Sequence, residues 1–227
     1  MASPGINGQG SQVYFGLTKG AAIPTTAATK ANPVAVTATN TLAGGDLVVC
    51  SAMLGMTEIV GRAFIVGTTG LSGTVFPLFG EDGTAYVAVG TVGNFNKWTL
   101  TARVGCDMFK DASSGGSQNN KLDITTLTSV FKEYLAGLPD SPMLSFNMYP
   151  TPRDATFKYL RACQKARTII PIYIKVPNPD TTATLENLFF HFVALGFVTN
   201  FVEMQIGVDQ PFAASIQFQT TGGLEMY

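Results

Sequence analysis

Apolar residues in this chain alternate with polar ones at a spacing of two, over short runs that stop at Gly, Asp or Pro. That period commits most of the chain to antiparallel β structure. Val34 to Thr39 alternates, Leu47 to Cys50 follows the Gly44-Gly45-Asp46 turn, and Ala63 to Gly67 precedes Gly70. Thr74 to Leu78 then leads through Glu81-Asp82-Gly83-Thr84 to Tyr86 to Val89. Five strands separated by turn signals predict a small β module over residues 31–93, a compact barrel or sandwich. Upstream, residues 1–30 are rich in Gly, Ser, Thr and Ala and read as an extended N-terminal arm. Its apolar cluster Val13-Tyr14-Phe15 would be wasted in solvent, so it is expected to dock on a neighbouring subunit.

Residues 94–227 make a second unit. Trp98 to Val104 opens it, and Ser113 to Asn120 reads as a polar loop. Thr151-Pro152-Arg153-Asp154 supplies an N-cap threonine, a proline at the first helical position and an acid at N3, predicting a helix over residues 152–166. On it Ala155, Tyr159, Ala162, Cys163 and Ala166 share one face, and Lys158, Arg161 and Lys165 another. Phe157 and Leu160 lie off the first face, so the helix has two apolar contacts to satisfy, one with its own sheet and one with a neighbouring subunit. Thr168 to Val176 is an Ile-rich strand, and Phe189 to Phe201 is apolar on both alternating faces, as a strand covered on both sides must be. In the last strand, Ala213 to Thr220, Ala214, Ile216 and Phe218 face a core while Ser215, Gln217 and Gln219 face water. The fold class is therefore mainly β: two packed antiparallel sheets in a barrel-like sandwich flanked by one helix, plus the small β module.

Composition narrows the function. Only 13% of the 227 residues are charged, about half the ~25% of an ordinary soluble domain. Interface cores are depleted of charge, so the shortage points to a subunit that hides surface against its neighbours. A net charge of −1 argues against a dedicated nucleic-acid binder. Its distribution is uneven: Arg153, Lys158, Arg161, Lys165 and Arg167 crowd the helix region, whereas no Lys or Arg follows Lys175. Asp180, Glu186, Glu203, Asp209 and Glu225 remain, a balance suited to a surface that must not adsorb phosphate. Cys50, Cys106 and Cys163 fit neither a disulfide framework nor a CxxC metal site. His191, the single histidine, sits among phenylalanines and reads as a packed strand residue. No GxSxG elbow or HExxH motif is present, so catalytic residues, metal ligands and cofactors are not expected. The longest apolar stretch, Leu188 to Val198, falls short of the ~20 residues of a membrane helix.

Two stretches resemble the major tail protein, or tail tube protein, of tailed bacteriophages. The first comprises Thr29-Lys30-Ala31-Asn32-Pro33, Val36-Thr37, Gly45-Asp46, Gly55-Met56, Gly61-Arg62, Gly83-Thr84 and Tyr86, with Val60 where that pattern often has Asn. The second comprises Leu138-Pro139-Asp140-Ser141-Pro142, Asp154, the helix, and the strands closing around Phe192 to Val198 and Ala213 to Tyr227. The resemblance implies a virion structural protein, assembled in the host cytoplasm, whose homo-hexameric rings stack into a tail tube. The tube would house a tape-measure protein, pass double-stranded DNA during ejection without binding it specifically, and meet other tail proteins at its ends. Under that reading Ser215, Gln217 and Gln219 line the channel. Val13, Tyr14, Phe15, Phe157 and Leu160 lie at subunit interfaces, and Lys158, Arg161 and Lys165 make inter-subunit electrostatic contacts. The alternative is another phage virion structural protein, in capsid decoration or head–tail connection. A carbohydrate-binding β-sandwich, with Trp98 and Tyr86 as stacking residues, ranks behind both.

Overall fold

One long strand near the N-terminus belongs to two sheets at once, and the architecture follows from how it bends. The computed structural model describes residues 10–101, 109–115, 119–123, 131–132, 134–149, 155–178, 188–205 and 213–227. In chain order the strands are β1 (Gln12–Thr25), β2 (Ala27–Ala28), β3 (Ala35–Thr37), β4 (Leu47–Met53), β5 (Ala63–Ile65), β6 (Val75–Pro77), β7 (Gly93–Leu100) and β8 (Phe109–Gly115). They continue with β9 (Asn119–Asp123), β10 (Tyr134–Pro139), β11 (Met143–Met148), β12 (Ile170–Pro177), β13 (Phe189–Gln205), β14 (Ala213–Thr220) and β15 (Glu225–Met226). One α-helix, α1 (Ala155–Ala166), lies among the described residues.

Pairing runs continuously in the order β5-β4-β7-β1-β12-β13-β14-β11-β8, all antiparallel, with β15 added to β13. The ribbon folds in the middle of β1. Gln12 to Phe15 pair with β12, whereas Gly16 to Thr25 pair with β7 after a register shift. The result is a sandwich of two sheets, one of β12, β13, β14, β11 and β8, the other of β7, β4 and β5, and not a closed barrel. Four features make the bend. A Cβ on Gly16 would lie 2.5 Å from the Pro171 ring and 2.9 Å from Trp98, so only glycine lets these groups close over the chain. Pro171, without an N–H, sits where β1 leaves β12. Thr101 takes up the broken ladder: its N–H donates to the Phe15 carbonyl at 2.8 Å, and its hydroxyl accepts from the Phe15 N–H at 3.2 Å. The Tyr159 hydroxyl, reaching across from α1, donates to the Gly16 carbonyl at 2.6 Å.

Alternation along the strands then builds three cores. Leu47, Ala63, Ile65, Tyr173 and Val193 fill the space between the two sheets. The next residues along, Val48, Cys50 and Phe64, point the other way, into a core with Phe95 and the three-stranded sheet β2-β3-β6. On the far side of the first sheet, Phe15, Ile170, Ile172, Ala194, Ile216 and Phe218 pack under Phe157, Leu160 and Cys163 of α1. Stretches of strand with a core on each side have to read apolar throughout, as Ile170 to Ile174 of β12 and Phe192 to Val198 of β13 do.

The mainly β class, the antiparallel sandwich and the single flanking helix are as expected from the sequence. Several particulars differ. Residues 12–25 form a central strand and not an arm. The segment 31–93 is not a separate module: β4 pairs with β7, and only β2, β3 and β6 stand apart. Tyr86 to Val89 is not a strand; Val87 is 88% exposed, and the backbone there is held by loop contacts such as the Val87 N–H to Glu58 Oε1 at 2.8 Å. Residues 113–115 and 119–120 of the expected loop belong to β8 and β9. The helix is described from Ala155, with its expected cap at residues 151–154 outside the described residues, as is Cys106. It ends at Arg167, whose φ of 51° is a left-handed value usually taken by glycine and costs an arginine about 1–2 kcal/mol.

Replacing Gly16 by alanine should lower stability by about 1–3 kcal/mol, because Pro171 and Trp98 cannot both retreat from the new methyl group. An unchanged thermal midpoint in that variant would show that the bend does not depend on a bare backbone at residue 16.

Candidate functional site

The second sheet is narrower than the first, and its reach decides which surface stays open. It covers β12 and the first half of β13, where Tyr173 and Val193 are buried. Beyond that the same face of the first sheet is uncovered. Ser215 stands opposite Asn147, Gln217 opposite both Ser145 and Asn200, and Ser145 opposite Ser113. Four strands thus present a surface rich in Ser, Asn and Gln, interrupted by Val202 opposite Ser215 and by Phe197 and Met143 opposite Gln219, while Ala214, Ile216, Phe218 and Phe146 on the other side of the same strands are buried. Among the described side chains of the uncovered part of this face, on β8, β11, β14 and the second half of β13, there is no Lys or Arg, while Lys175 stands on the same face over β12. Of the expected channel residues, Ser215 and Gln217 lie in its middle. Gln219 is at its end, where its Nε2 donates to the Ser141 carbonyl at 2.8 Å and ties down the β11 approach. Ser113, Ser145, Asn147 and Asn200 were missed, although Leu144-Ser145-Phe146-Asn147-Met148 alternates as cleanly as the last strand does.

At the margin of this surface β8 is exposed on both sides from Ala112 to Gly115, and among the described residues no strand pairs with its outer edge. The opposite edge, β5, is sealed: the Phe79 N–H donates to the Ile65 carbonyl at 2.8 Å.

The residues expected at subunit contacts are mostly internal. Val13 and Phe15 are buried in the chain's own core, with Phe15 edge-on to Phe146 at 6.1 Å. Tyr14, on the alternate side, stacks on Tyr173 at 5.9 Å. Phe157 is 8% exposed and packs on Phe201 at 4.9 Å, and Leu160 is buried beside it. The reason is helix geometry: residues 157, 160 and 163 follow one another at three-residue spacing along the buried face, so one sheet satisfies them all. The alanine face expected to be apolar looks outward instead, at Ala155, Ala162 and Ala166. Lys158, Arg161 and Lys165 are exposed, as their expected role requires.

The motif residues of the first half turn out to hold the small sheet in place. Arg62 forms a two-pronged ion pair with Glu81, at 2.8 and 2.9 Å, and Glu81 is only 4% exposed. Tyr86 and Tyr227 both donate their hydroxyls to Glu81, the latter at 3.0 Å, and Arg62 Nε lies 3.1 Å from Glu225. Burial, with Glu81 beside it, holds the Tyr227 phenol well above its usual range, so it stays a donor. Asp46, of the Gly45-Asp46 turn, pairs with Lys97 of β7 at 2.6 Å. Met56 is fully buried. These contacts connect the two ends of the fold and leave no reactive group exposed at the cluster.

His191 is where the sequence placed it, inside a strand. Its Nδ1 is 2.6 Å from the Tyr173 hydroxyl, Phe79 meets its ring edge-on at 5.2 Å, and burial together with Lys175 pushes its pKa down to about 4. Lys175 lies over the rings of Tyr173, Tyr14 and Phe189 at 5.2–5.8 Å. Among the described residues no group of three or more His, Cys, Asp or Glu could hold a metal ion, and no helix is long and apolar enough to cross a membrane. No protein-family model matches the chain, and no curated protein sequence matches it.

Two outcomes follow. Glu81→Gln leaves the Arg62 guanidinium facing a neutral partner in a mostly buried site; allowing for Arg62's partial exposure, it should cost about 2–4 kcal/mol in denaturant unfolding. A wild-type midpoint would remove the cluster from the list of stabilising contacts. For His191 the sign is set by a folded pKa below the unfolded ~6.5. Between pH 6.5 and 4 the unfolded chain binds a proton that the folded chain refuses, so stability falls as pH drops through that window. In His191→Asn, thermal midpoints measured from pH 7 to 4 should fall less steeply than in the wild type.

Proposed function

We propose that the protein is a structural subunit of a bacteriophage tail tube, assembling into stacked rings whose bore is lined by the uncovered Ser/Asn/Gln face. The observation that carries the reading is the uncovered part of this face: four strands wide, rich in Ser, Asn and Gln, and without a described cation. A duplex sliding past short neutral side chains meets hydrogen-bonding groups that water can satisfy equally well. Each lysine or arginine there would instead release counterions from the DNA and create a salt-dependent contact, repeated around every ring. Ring closure is supported by the free edge of β8, adjacent to the polar face, where a strand from the next copy could extend the sheet. Six copies per ring, the tape-measure protein as first occupant and a place in the virion tail come from the resemblance in the sequence.

Electron microscopy of the purified protein is the direct check, with tubes or stacked rings expected; a population of monomers alone at every concentration would rule the reading out. The lining is tested by Gln217→Lys. Tubes of the variant should form as the wild type does but retain double-stranded DNA at low salt and release it as salt is raised, whereas wild-type tubes retain none. If variant tubes ignore DNA at all salt concentrations, Gln217 does not face the bore.

A further inference from the structure

The polar surface that runs across β13, β14, β11 and β8 has two margins, and among the described residues the chain leaves both unpaired. On one side β8 pairs with β11 alone. On the other, β12 begins with Ile170 opposite Gly196, so over residues 197–205 β13 pairs only with β14. A groove of about 760 Å³, lined by Arg167, Ile169 and Thr199 among others, opens at the start of that flank, and Thr199 and Asn200 are exposed. Backbone groups point alternately to the two sides of a strand, so each flank presents a row of N–H and C=O groups without ladder partners. A third long flank, on β1 beyond Phe15, is protected. Lys19 and Pro24 stand in it, and the Tyr159 hydroxyl donates to its Leu17 carbonyl at 3.1 Å. Lysine and proline keep an edge from pairing, and neither occurs in residues 111–115 or 197–205.

We propose that β8 of one copy pairs antiparallel with residues 197–205 of β13 in a second copy, joining the polar surfaces of successive copies into one sheet. Strand direction selects this occupant. β13, β14, β11 and β8 each run antiparallel to the next, so β8 runs opposite to β13. A rotation about an axis along the strands preserves direction, so β8 reaches the next copy's β13 antiparallel and with the polar face turned the same way. Such a head-to-tail contact repeats from copy to copy until the ring closes. Pairing of β8 with β8 would instead need a two-fold axis, stop at two copies and leave the β13 flank open. Two register shifts in β13, after Val198 and after Val202, are bulges that bend the strand, and a sheet that closes on itself has to bend. The contact rests on the tube reading given above and names the partner of the β8 edge.

Ser113→Cys, combined in a Cys106→Ser chain with Phe197→Cys, Asn200→Cys or Val202→Cys, tests the contact, because these positions share the polar face. Cys50 and Cys163 are buried. Within one copy two strands separate β8 from β13, a gap of about 14 Å that a disulfide, limited to ~7 Å between Cα atoms, does not span. Oxidation of the assembled protein should give covalent multimers above the dimer from one of these doubles, and only dimers from a mixture of the matching single variants. Dimers from Ser113→Cys alone place β8 against β8 and overturn the proposal. Assembled doubles that form no link at any of the three positions overturn it too, and leave the tube reading standing. The wild type supplies a check that needs no variant: amide hydrogen exchange in residues 111–115 and 197–202 should slow about tenfold or more on assembly. Unchanged exchange in either segment of an assembled sample, or slowing in residues 18–23 of β1 in place of β13, overturns the proposal. A wild-type protein that remains monomeric in sedimentation at every concentration refutes both readings.

Discussion

The bend of β1 at Gly16 is the constraint on which the rest depends. A single strand serves the first sheet up to Phe15 and the second from Gly16 onward, so the two sheets cannot separate without breaking one backbone. The bend leaves the Phe15 peptide without ladder partners on one side, and Thr101 supplies both the donor and the acceptor that it lacks. Tyr159 fastens the helix to the same point. A strand, a helix and the loop after β7 thus meet at one residue that has no side chain, and the Phe15 N–H and the Phe15 and Gly16 carbonyls are all bonded there.

From the bend follows the open surface. Because the second sheet is only three strands wide beyond β1, it stops over β13, and the strands past that point must be apolar on the helix side and tolerant of water on the other. Ser113, Ser145, Ser215 and Gln217 meet that demand with neutral groups. Solubility alone would be served as well by Lys and Glu, which are commoner on β surfaces facing water. On the proposed function their absence from the uncovered part of the face has a use, since small amides and hydroxyls leave a phosphate backbone unbound.

How much of this was legible in the sequence depends on whether the signal was local. Strand identity was: Ile170, Ile172 and Tyr173 alternate between two cores as their period of two requires, and Phe192 to Val198 of β13 is apolar on both sides because that half of the strand is covered on both. The partners of each strand were not. Nothing in Gln12 to Thr25 announces pairing with residues 93–100 on one side and 172–175 on the other, so a central strand reads as a loose arm of small residues. Phe157 and Leu160 read as surplus apolar positions because the sequence does not say which helical face meets the sheet. Half of the polar face was missed for the same reason. Ser145 and Asn147 become part of it only once β11 is known to lie beside β14.

The polar cluster around Glu81 bears on what the fold has to withstand. A buried carboxylate is costly unless every oxygen is used, and here two tyrosines and an arginine use them all. The reward is geometric and not a large net stabilisation, since such a pair is often no better than apolar packing. Its partners lie far apart in the chain: Arg62 immediately precedes β5 of the second sheet, Glu81 follows β6 of the small three-stranded sheet, and Tyr227 follows β15 on the first. A Cβ on Gly80 would lie 2.9 Å from the Tyr227 ring, so the last residue fits only against a bare backbone. With β1 joining the sheets at one side and this network at the other, the sandwich is pinned at both margins. In the proposed assembly that stiffness would matter, because compliance within each subunit would add up around a ring, and the β8 edge, unpaired among the described residues, would meet its neighbour only in a blurred register.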